Sequence, residues 1–531
     1  MVLVSARTAL HVLFIKIIVF IKKNMKNQDL VDYLRSCGVC GVCQLRYLKA
    51  RGSEYKDVKE TLRKLDVEVN EIVENGEAAI SPEDRPAKKA RRGICSTCLG
   101  LFSEDFQMEL LAGILASDFA KYDCQKIVLA ICLPMSLQLK QLAMWFALQR
   151  KFGAAVDGNN PPDVPIKEAV KLILHPIICE KLSKEYDANG LMINIDLTHK
   201  LEDEEVEKLV KLNKDAFPAK AAYQKRIEIS RGLLEKQYQP SKVKAETFEK
   251  YFEIPCSTVE EPLKLTSIDL QGPLVCVAGR YRKLSRELSH TPWVMNGQRL
   301  MEDSIEEIII RHVGPHFTER LDKITFMSSG REDVDVRCLG KGRPFVLEIP
   351  NAIRSCLSKE KAYKMEQAVD TSGKVSVLNL QVVAREDLTQ IKTGEEQKKK
   401  FYRALCALKE PVSVEILSKL QIPQSFDIQQ KTPIRVLHRR PLHTRPRTIY
   451  SVKAKVQRGN PKALVIDIVT QAGTYIKELV HGEFGRTTPS LSSILGKHID
   501  IQALDVVGID LEWPPEVDNS TPTEEGATNI R

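Results

Sequence analysis

Signatures of three enzyme classes are missing from this chain of 531 residues. It has no Gly-x-x-x-x-Gly-Lys-Ser/Thr loop to cradle nucleotide phosphates, which argues against ATP-dependent thiolation. No convincing Gly-rich turn opens a parallel β-α-β unit, as a methyltransferase would require. A zinc deaminase needs His-x-Glu followed by Pro-Cys-x-x-Cys. His481-Gly482-Glu483 supplies the first part, but no cysteine follows Cys406.

A long apolar run is also missing. Residues 1–24 contain the stretch ALHVLFIKIIVFIKK, but Lys16 interrupts it and it is too short for a transmembrane helix. The segment has no acidic residue, so a mitochondrial presequence is one reading. A true start at Met25, or an extra packed helix, is the other. We expect no membrane association.

The 13 cysteines are too few for a disulfide scaffold in a chain of this length, and they are scattered except for a cluster near the N-terminus. CGVCGVC (37–43) and CSTC (95–98) each provide a Cys-x-x-Cys knuckle. Four thiolates suit a closed, structural Zn²⁺ site. The spacing leaves the first knuckle undecided, because Cys37/Cys40 and Cys40/Cys43 both fit. Ordinary buried thiols are the alternative.

The overall composition is that of a globular protein, with 43% hydrophobic and 28% charged residues. Its length suggests three or four domains. The net charge of +9 is a mild indication of a polyanionic partner. There is no internal repeat.

Changes in composition and periodicity predict an α+β multidomain protein. Residues 25–112 hold the cysteines, with a disordered loop at 75–93 whose RPAKKARR is either a nuclear localisation signal or a solvated linker. Residues 113–260 alternate strands and helices in an α/β unit with a basic helix at 216–237. Residues 261–513 are rich in strands, which predicts a mixed or antiparallel sheet carrying helices. The tail, 514–531, is predicted to be disordered.

Individual elements follow from periodicity. The predicted strands are 125–134, 191–199, 274–281, 375–384, 401–408, 447–456 and 463–471, and the predicted helices are 137–152 and 164–183.

The stretch GREDVDVRCLGKGRPFVLEI reads as a hairpin that turns at Gly340-Lys341-Gly342. Period two would place Arg331, Asp333, Asp335 and Arg337 on one face. A salt-bridged exposed strand and a functional site explain this pattern equally well.

Other parts of the same region favour a site. KKFYRALC places Tyr402 on a strand after a lysine run, and Gly473 precedes Thr474-Tyr475-Ile476-Lys477 and a helix. Residues 431–458 hold nine Lys and Arg residues and no acid. Aromatic rings beside a basic strip suit the recognition of single-stranded nucleic acid or of a flipped base.

These motifs carry a resemblance. Gly-Arg-x-Asp at the beginning of a strand, a later Lys-x-Tyr strand and Gly-Thr-Tyr-Ile-Lys resemble the pseudouridine synthase superfamily. SSGREDVDVRCLGKGRPF, AGRYRKLSRELSHTPW, KTPIRVLHRRPL and TQAGTYIKELVHGEFGRT are similar to the Pus-ten family of tRNA pseudouridine synthases. The resemblance covers residues 31–513 and is strongest after residue 270. Residues 1–24, Cys37 and the loop between the knuckles depart from the family pattern.

The resemblance implies a zinc-binding domain, a THUMP-type RNA-binding domain and a pseudouridine synthase catalytic domain. It implies a monomer that acts on uridines 54 and 55 in the T-arm of tRNA, with structural zinc and no organic cofactor. We expect a nuclear and cytoplasmic location, with the mitochondrion as a further candidate. A non-catalytic RNA-binding adaptor in small-RNA processing is the alternative function.

The resemblance also assigns roles to residues. The catalytic aspartate corresponds to Asp333, the aromatic ring that contacts the target base to Tyr402, and the basic partner of the aspartate to Lys477. Tyr475 would pack against the site, and Arg331 would bind substrate. The implied zinc ligands are Cys40, Cys43, Cys95 and Cys98.

Two acids next to Asp333 receive other expectations. Asp335 is expected to be held by an arginine, and Glu332 to point the other way. Whether the catalytic carboxylate attacks C1′ or removes the C2′ proton stays undecided at this point.

Overall fold

The computed structural model describes residues 27–65, 93–153, 156, 164–212, 240–256, 259–391 and 398–517. The chain forms two compact units, Met1–Gln271 and Gly272–Arg531. Three predicted features lie outside the described residues: the segment 1–24, the RPAKKARR run and the basic helix at 216–237. Within the described ranges, no helix is both long and apolar enough to cross a membrane.

The first unit combines helices with a small mixed sheet. Its helices are α1 (Asn27–Ser36), α2 (Gly41–Tyr47), α3 (Val58–Lys64), α4 (Glu104–Ala116), α5 (Met135–Phe152), α6 (Ile166–Leu182), α7 (Glu202–Leu212) and α8 (Ala245–Phe248). Its strands are β1 (Lys126–Cys132), β2 (Glu185–Tyr186), β3 (Leu191–Thr198) and β4 (Lys264–Gln271). They pair in the order β2-β1-β3-β4, with β1 parallel to both neighbours and β4 antiparallel to β3.

The boundary between the two units lies after strand β4, later in the chain than the sequence predicts. The sequence predicts that the C-terminal domain begins at residue 261, but the two units separate between Gln271 and Gly272. The reason is backbone pairing, since β4 is the edge strand of the first unit's sheet and pairs with β3 along most of its length. A polar strand with half-buried faces gives no sequence signal of which sheet it joins.

The cysteine region does not form a separate core. Cys43, Cys95 and Cys98 belong to the same buried cluster as Ile127 of β1 and Leu142 of α5. A region this small buries little apolar surface by itself, so packing against the neighbouring α/β elements supplies its core.

The second unit is built on one large sheet. Its strands are β5 (Val275–Lys283), β6 (Val294–Met295), β7 (Gln298–Arg299), β8 (Thr325–Ser328), β9 (Val336–Ile349), β10 (Val375–Val383), β11 (Lys400–Leu408), β12 (Phe426–Lys431), β13 (Thr444–Gln457), β14 (Asn460–Thr470), β15 (Thr487–Thr488) and β16 (Ile499–Ile509). Its helices are α9 (Ile305–Phe317), α10 (Lys359–Asp370), α11 (Val414–Lys419), α12 (Ile476–His481) and α13 (Leu491–Leu495).

The order of strands in the large sheet is β10-β5-β9-β16-β11-β14-β13-β12-β15, and β8 also pairs with β9, whereas β6 and β7 form a separate two-stranded sheet. Strands β9 and β16 are parallel, and the other described pairs are antiparallel. This mixed sheet with helices confirms the predicted α+β class.

Two apolar clusters cover different parts of the sheet. Helix α9 presents Ile305, Ile308, Ile309, Val313 and Phe317 at helical spacing to the core above β5, β9 and β10. A second cluster lies on β11, β13, β14 and β16 under the short helices α12 and α13. Strand β9 contributes buried residues to both clusters.

The predicted hairpin at Gly340-Lys341-Gly342 is wrong, because β9 is one continuous strand. Gly340 (φ +63°) and Gly342 (φ +74°) instead allow close approach of neighbouring backbone. A Cβ on Gly340 would lie 2.2 Å from the Val507 carbonyl oxygen, and one on Gly342 would lie 2.7 Å from that of Tyr281. Glycine serves both turns and close approaches, so the sequence signal was ambiguous. Because β9 begins only at Val336, Asp333 and Asp335 lie in the loop before it and not on a strand face, contrary to the prediction.

Replacing Gly340 by alanine should destabilise the second unit strongly. Gly373→Ala is the matched control, since Gly373 has a similar φ of +62° but no described atom within 4 Å of the position that a Cβ would take. The control should cost about 1–2 kcal/mol through φ alone, and Gly340→Ala roughly 1–3 kcal/mol more through the clash. Urea unfolding midpoints measure the difference, and equal losses would contradict the close approach.

Candidate active site

The acidic loop of residues 329–335 joins β8 to β9, and two cations, the buried Lys283 and the partly exposed Arg286, hold its backbone. Lys283, at the end of β5, donates from Nζ to the carbonyl oxygens of Asp333 (2.8 Å), Val334 (2.5 Å) and Val336 (2.8 Å). Arg286 donates from Nη1 to the carbonyl oxygen of Asp335 at 2.9 Å. Burial lowers the pKa of Lys283 to about 8, although nearby acids oppose the shift. These two cations therefore bind the backbone carbonyl oxygens of four consecutive residues, 333–336.

Glu332 points away from the other two acids, as expected. Its carboxylate is buried and accepts from Arg343 Nε (2.6 Å) and from the Tyr281 hydroxyl (2.8 Å). Burial alone would raise the pKa of Glu332, but the charges of Arg343 and His290 and these hydrogen bonds bring it to about 2. Arg343 also donates to the Ser329 carbonyl oxygen at 2.6 Å, so this buried pair anchors the start of the loop.

Lys477, the second residue of α12, reaches both remaining acids. Its Nζ lies 2.7 and 2.8 Å from the two carboxylate oxygens of Asp335 and 3.7 Å from Oδ2 of Asp333. The expected arginine partner of Asp335 is therefore wrong, because the lysine ammonium takes that position. Burial raises the pKa of Asp335, but the hydrogen bond and the charge of Lys477 lower it by more, so that this pKa lies below its usual value.

The closest partner of Asp333 is Arg435, which the sequence did not single out. Arg435 Nη1 lies 2.7 Å from Asp333 Oδ2, and its Nε lies 2.7 Å from Oε1 of Glu478. The Glu478 side chain is only 2% exposed, and the guanidinium stands 5.9 Å from the ring centre of Tyr475. Burial lowers the pKa of Arg435, but Glu478 and Asp333 raise it by more.

A signal for Arg435 was present in the sequence but could not be separated from its surroundings. It is one of nine basic residues in 431–458. Its distinction is spatial, since the 3₁₀ turn Ile434–Val436 directs it toward α12 and the acidic loop. The spacing of residues in the strip gives no indication that Arg435 contacts the acidic loop.

Tyr402 lies on β11, as predicted, two strands away from β9. It pairs with Val506 of β16, which in turn pairs with Cys338 of β9, so the three residues form one row across the sheet. Burial raises the pKa of Tyr402 to about 12, with Arg343 opposing the shift, so its phenol stays protonated at neutral pH.

The other two predicted substrate residues occupy the margins. Tyr475 is fixed at the start of α12 by Gln430, which accepts from its backbone N–H at 2.8 Å and donates to its carbonyl oxygen at 3.0 Å. Arg331 is exposed on the acidic loop. The structure thus brings Asp333, Lys477 and Tyr475 to one place with Arg435, while Arg331 makes no described contact with them.

The basic strip, residues 431–458, presents an exposed surface. Its side chains from Leu437 to Pro446 are exposed, including Arg439, Arg440 and His443. Arg435 at one end contacts the acidic loop. Cationic surface therefore extends directly from the acidic site.

The four predicted zinc ligands come together in the first unit. The Sγ atoms of Cys40, Cys43, Cys95 and Cys98 all lie within 4.8 Å of one another, and Cys40 Sγ is 3.8 Å from Cys98 Sγ. Tetrahedral coordination with Zn–S bonds of about 2.3 Å separates sulfur atoms by roughly 3.8 Å. The geometry selects the Cys40/Cys43 knuckle, and Cys37 lies outside the group. This cluster could hold a metal ion.

Comparison with known proteins gives the family. Residues 276–510 match the family model described as Pus10, C-terminal, and residues 95–269 match eukaryotic Pus10, N-terminal. The Pus10 protein of Drosophila melanogaster is 83% identical over 496 residues, which cover 93% of this chain and 99% of the relative. Human tRNA pseudouridine synthase Pus10 is 34% identical over 468 residues, covering 86% of each chain.

Among solved structures, a Cbf5-Nop10-Gar1 complex aligns at 15% identity with a TM-score of 0.24, covering 43% of this chain and 47% of the other. That similarity is too low to bear on function. The two family models and the extent of the sequence relatives are decisive, and the chain belongs to the Pus10 family.

Proposed function

We propose that this protein is a tRNA pseudouridine synthase whose reactive group is the Asp333 carboxylate. One observation carries the assignment of the residue. Asp333 is a carboxylate, 33% exposed, that lies within 4 Å of two cations, Arg435 and Lys477, on a loop whose backbone is clamped. Family membership and the names of the relatives support the activity.

The reaction places modest demands on the site. Uridine becomes pseudouridine when the N1–C1′ bond breaks, the uracil turns, C5 joins C1′, and the proton on C5 is lost while N1 takes up a proton. No atom is gained or lost and nothing is oxidised, so no organic cofactor is required. Attack on C1′ and removal of the C2′ proton both need an ionised carboxylate. Two cations, Arg435 and Lys477, lie within 4 Å of the Asp333 carboxylate.

Base recognition falls to Tyr402 in this proposal. A target base must leave its stack, which costs a few kcal/mol. Stacking on an aromatic ring returns roughly 1–3 kcal/mol. Because the phenol of Tyr402 is neutral at physiological pH, it can offer its face and its hydroxyl without repelling the RNA.

The substrate position follows from the family resemblance and is part of the proposal. The exposed cations of the basic strip would meet tRNA phosphates and guide the T-arm so that uridine 54, uridine 55 or both reach Asp333. A monomer would supply the whole proposed site, because every residue invoked here lies in the second unit.

The test is chemical mapping of pseudouridine after incubating purified protein with unmodified, folded tRNA. Asp333→Asn should lower turnover by at least about 100-fold while tRNA affinity stays near wild type. Asp335→Asn is the matched control, since it changes the same loop and the same Lys477 contact.

Two results would overturn these assignments. Full activity in Asp333→Asn with loss in Asp335→Asn would move the reactive role to Asp335. Absence of pseudouridine from wild-type reactions would refute the enzyme proposal and leave an RNA-binding adaptor.

Arg435 should act on turnover, whereas its exposed neighbours act on binding. We expect Arg435→Gln to lower the single-turnover rate without a matching loss of tRNA affinity, because Arg435 holds the Asp333 carboxylate at 2.7 Å. Arg439→Gln, in the same strip but exposed, should instead weaken binding and reduce the salt slope by about one. Filter binding and single-turnover kinetics separate the two, and identical profiles would refute a positioning role.

We also propose that Cys40, Cys43, Cys95 and Cys98 hold a structural Zn²⁺ ion. All four thiolates would be used, so the ion would stabilise the first unit and take no part in the isomerisation. The sulfur separation of 3.8 Å between Cys40 and Cys98 supports this choice of metal.

Elemental analysis should find about one zinc per chain in the wild-type protein. Changing Cys95 and Cys98 together to alanine should remove the zinc and lower the melting temperature. Cys37→Ala, in the same CGVCGVC stretch but outside the cluster, should keep full occupancy. Zinc retained by the double variant would contradict the assigned ligands.

A further inference from the structure

Phe484 is the most exposed large apolar residue that the structure describes, at 98% of its surface. It lies in the turn after α12, where four consecutive residues have positive φ: Gly482 (82°), Glu483 (41°), Phe484 (56°) and Gly485 (82°). Glutamate and phenylalanine rarely adopt this left-handed conformation. An exposed single hydrophobic residue is ordinary, but one presented by a strained turn indicates a constraint.

The turn is anchored on both sides. Glu483 accepts from the Ile434 N–H at 2.9 Å and from Arg486 Nε at 3.1 Å, and its own N–H donates to His481 Nδ1 at 3.0 Å. Arg486 also donates to the Thr432 carbonyl oxygen at 2.6 Å. The backbone under Phe484 is therefore held in place while its ring faces solvent.

The position of the turn relates it to the candidate active site. Glu483 binds the backbone of Ile434, and the next residue, Arg435, contacts Asp333. Ile434 is itself half exposed. Phe484 thus lies beside the start of the basic strip, and two hydrogen bonds, Glu483–Ile434 and Arg435–Asp333, link its turn to the acidic loop.

The surroundings favour a nucleobase as the occupant. The adjoining strip of residues 431–458 contains nine cations and no acid, so it complements RNA phosphates. An aromatic face beside such a strip is the arrangement that stacks unpaired bases.

We propose that Phe484 is a stacking platform for an unpaired base of the tRNA next to the target uridine. The inference rests on the proposed function, since it takes the same tRNA as the substrate. Because the anchored turn already fixes the position of the ring, binding requires a smaller loss of conformational entropy.

Side-chain replacements at Phe484 test the proposal cleanly, since a fully exposed ring contributes little to folding. Phe484→Ala should weaken tRNA binding roughly 5- to 100-fold, Phe484→Trp should preserve it, and Phe484→Leu should not restore it. Val414→Ala is the control, since Val414 is an 84% exposed apolar residue in the same unit. A tRNA with 2-aminopurine beside the target uridine should change fluorescence on binding wild type and Phe484→Trp only.

Two outcomes would overturn the platform. Wild-type affinity in Phe484→Ala would refute the stacking platform. Full rescue by leucine would show that the contact is apolar and not a stacking contact. Its failure is distinct from that of the proposed function. Pseudouridine formation undiminished in Phe484→Ala refutes the platform alone. Phe484-dependent binding by a wild-type protein that forms no pseudouridine refutes the enzyme alone.

Discussion

The clamp of Lys283 on the acidic loop is the interaction on which the rest of the candidate site depends. A loop that carries three carboxylates within four residues would ordinarily be self-repelling. Lys283 binds two of its carbonyl oxygens and that of Val336 at the start of β9, and Arg286 binds the carbonyl oxygen of Asp335. Buried carbonyl groups need such partners, and an ammonium binds them more strongly than a neutral donor. With the backbone held, the side chains of Asp333 and Asp335 project in defined directions.

Electrostatic organisation explains why acids and cations are interleaved here. Glu332 and Arg343 neutralise each other in the core, so this buried charge is paired and does not add to the field around Asp333. Glu478 has the corresponding role for Arg435, because a buried carboxylate keeps the guanidinium oriented toward Asp333. The surface cations of the basic strip are then free to face a polyanion. Cations therefore have two roles. Inside the fold they pair with carboxylates, and on the surface they are available to a polyanion.

The sheet supplies the precision that these contacts need. Strands β9, β16 and β11 lie side by side, so Cys338, Val506 and Tyr402 occupy one row. Gly340 permits the close approach of β16 that makes this row possible. Residues far apart in sequence are therefore fixed by backbone hydrogen bonds rather than by flexible loops. The cysteine cluster has a comparable effect in the first unit, where four sulfur atoms from two distant knuckles meet beside a shared core.

Periodicity and motif determined a large part of this protein in advance. The alternation in residues 191–199 and the apolar run in 125–134 correspond to β3 and β1, because side-chain burial has a period of two in strands. The α+β class, the Cys-x-x-Cys pairs and the sequence motif that contains Asp333 were likewise recognisable. Tertiary structure alone decided that β9 runs through its two glycines, that β4 joins the first unit, and that Lys477 lies nearer Asp335 than Asp333. It alone distinguished Arg435 from the other cations in its strip. The physical reason is the same in each case: these outcomes depend on pairings and ion contacts between segments distant in sequence, and local periodicity carries no information about them.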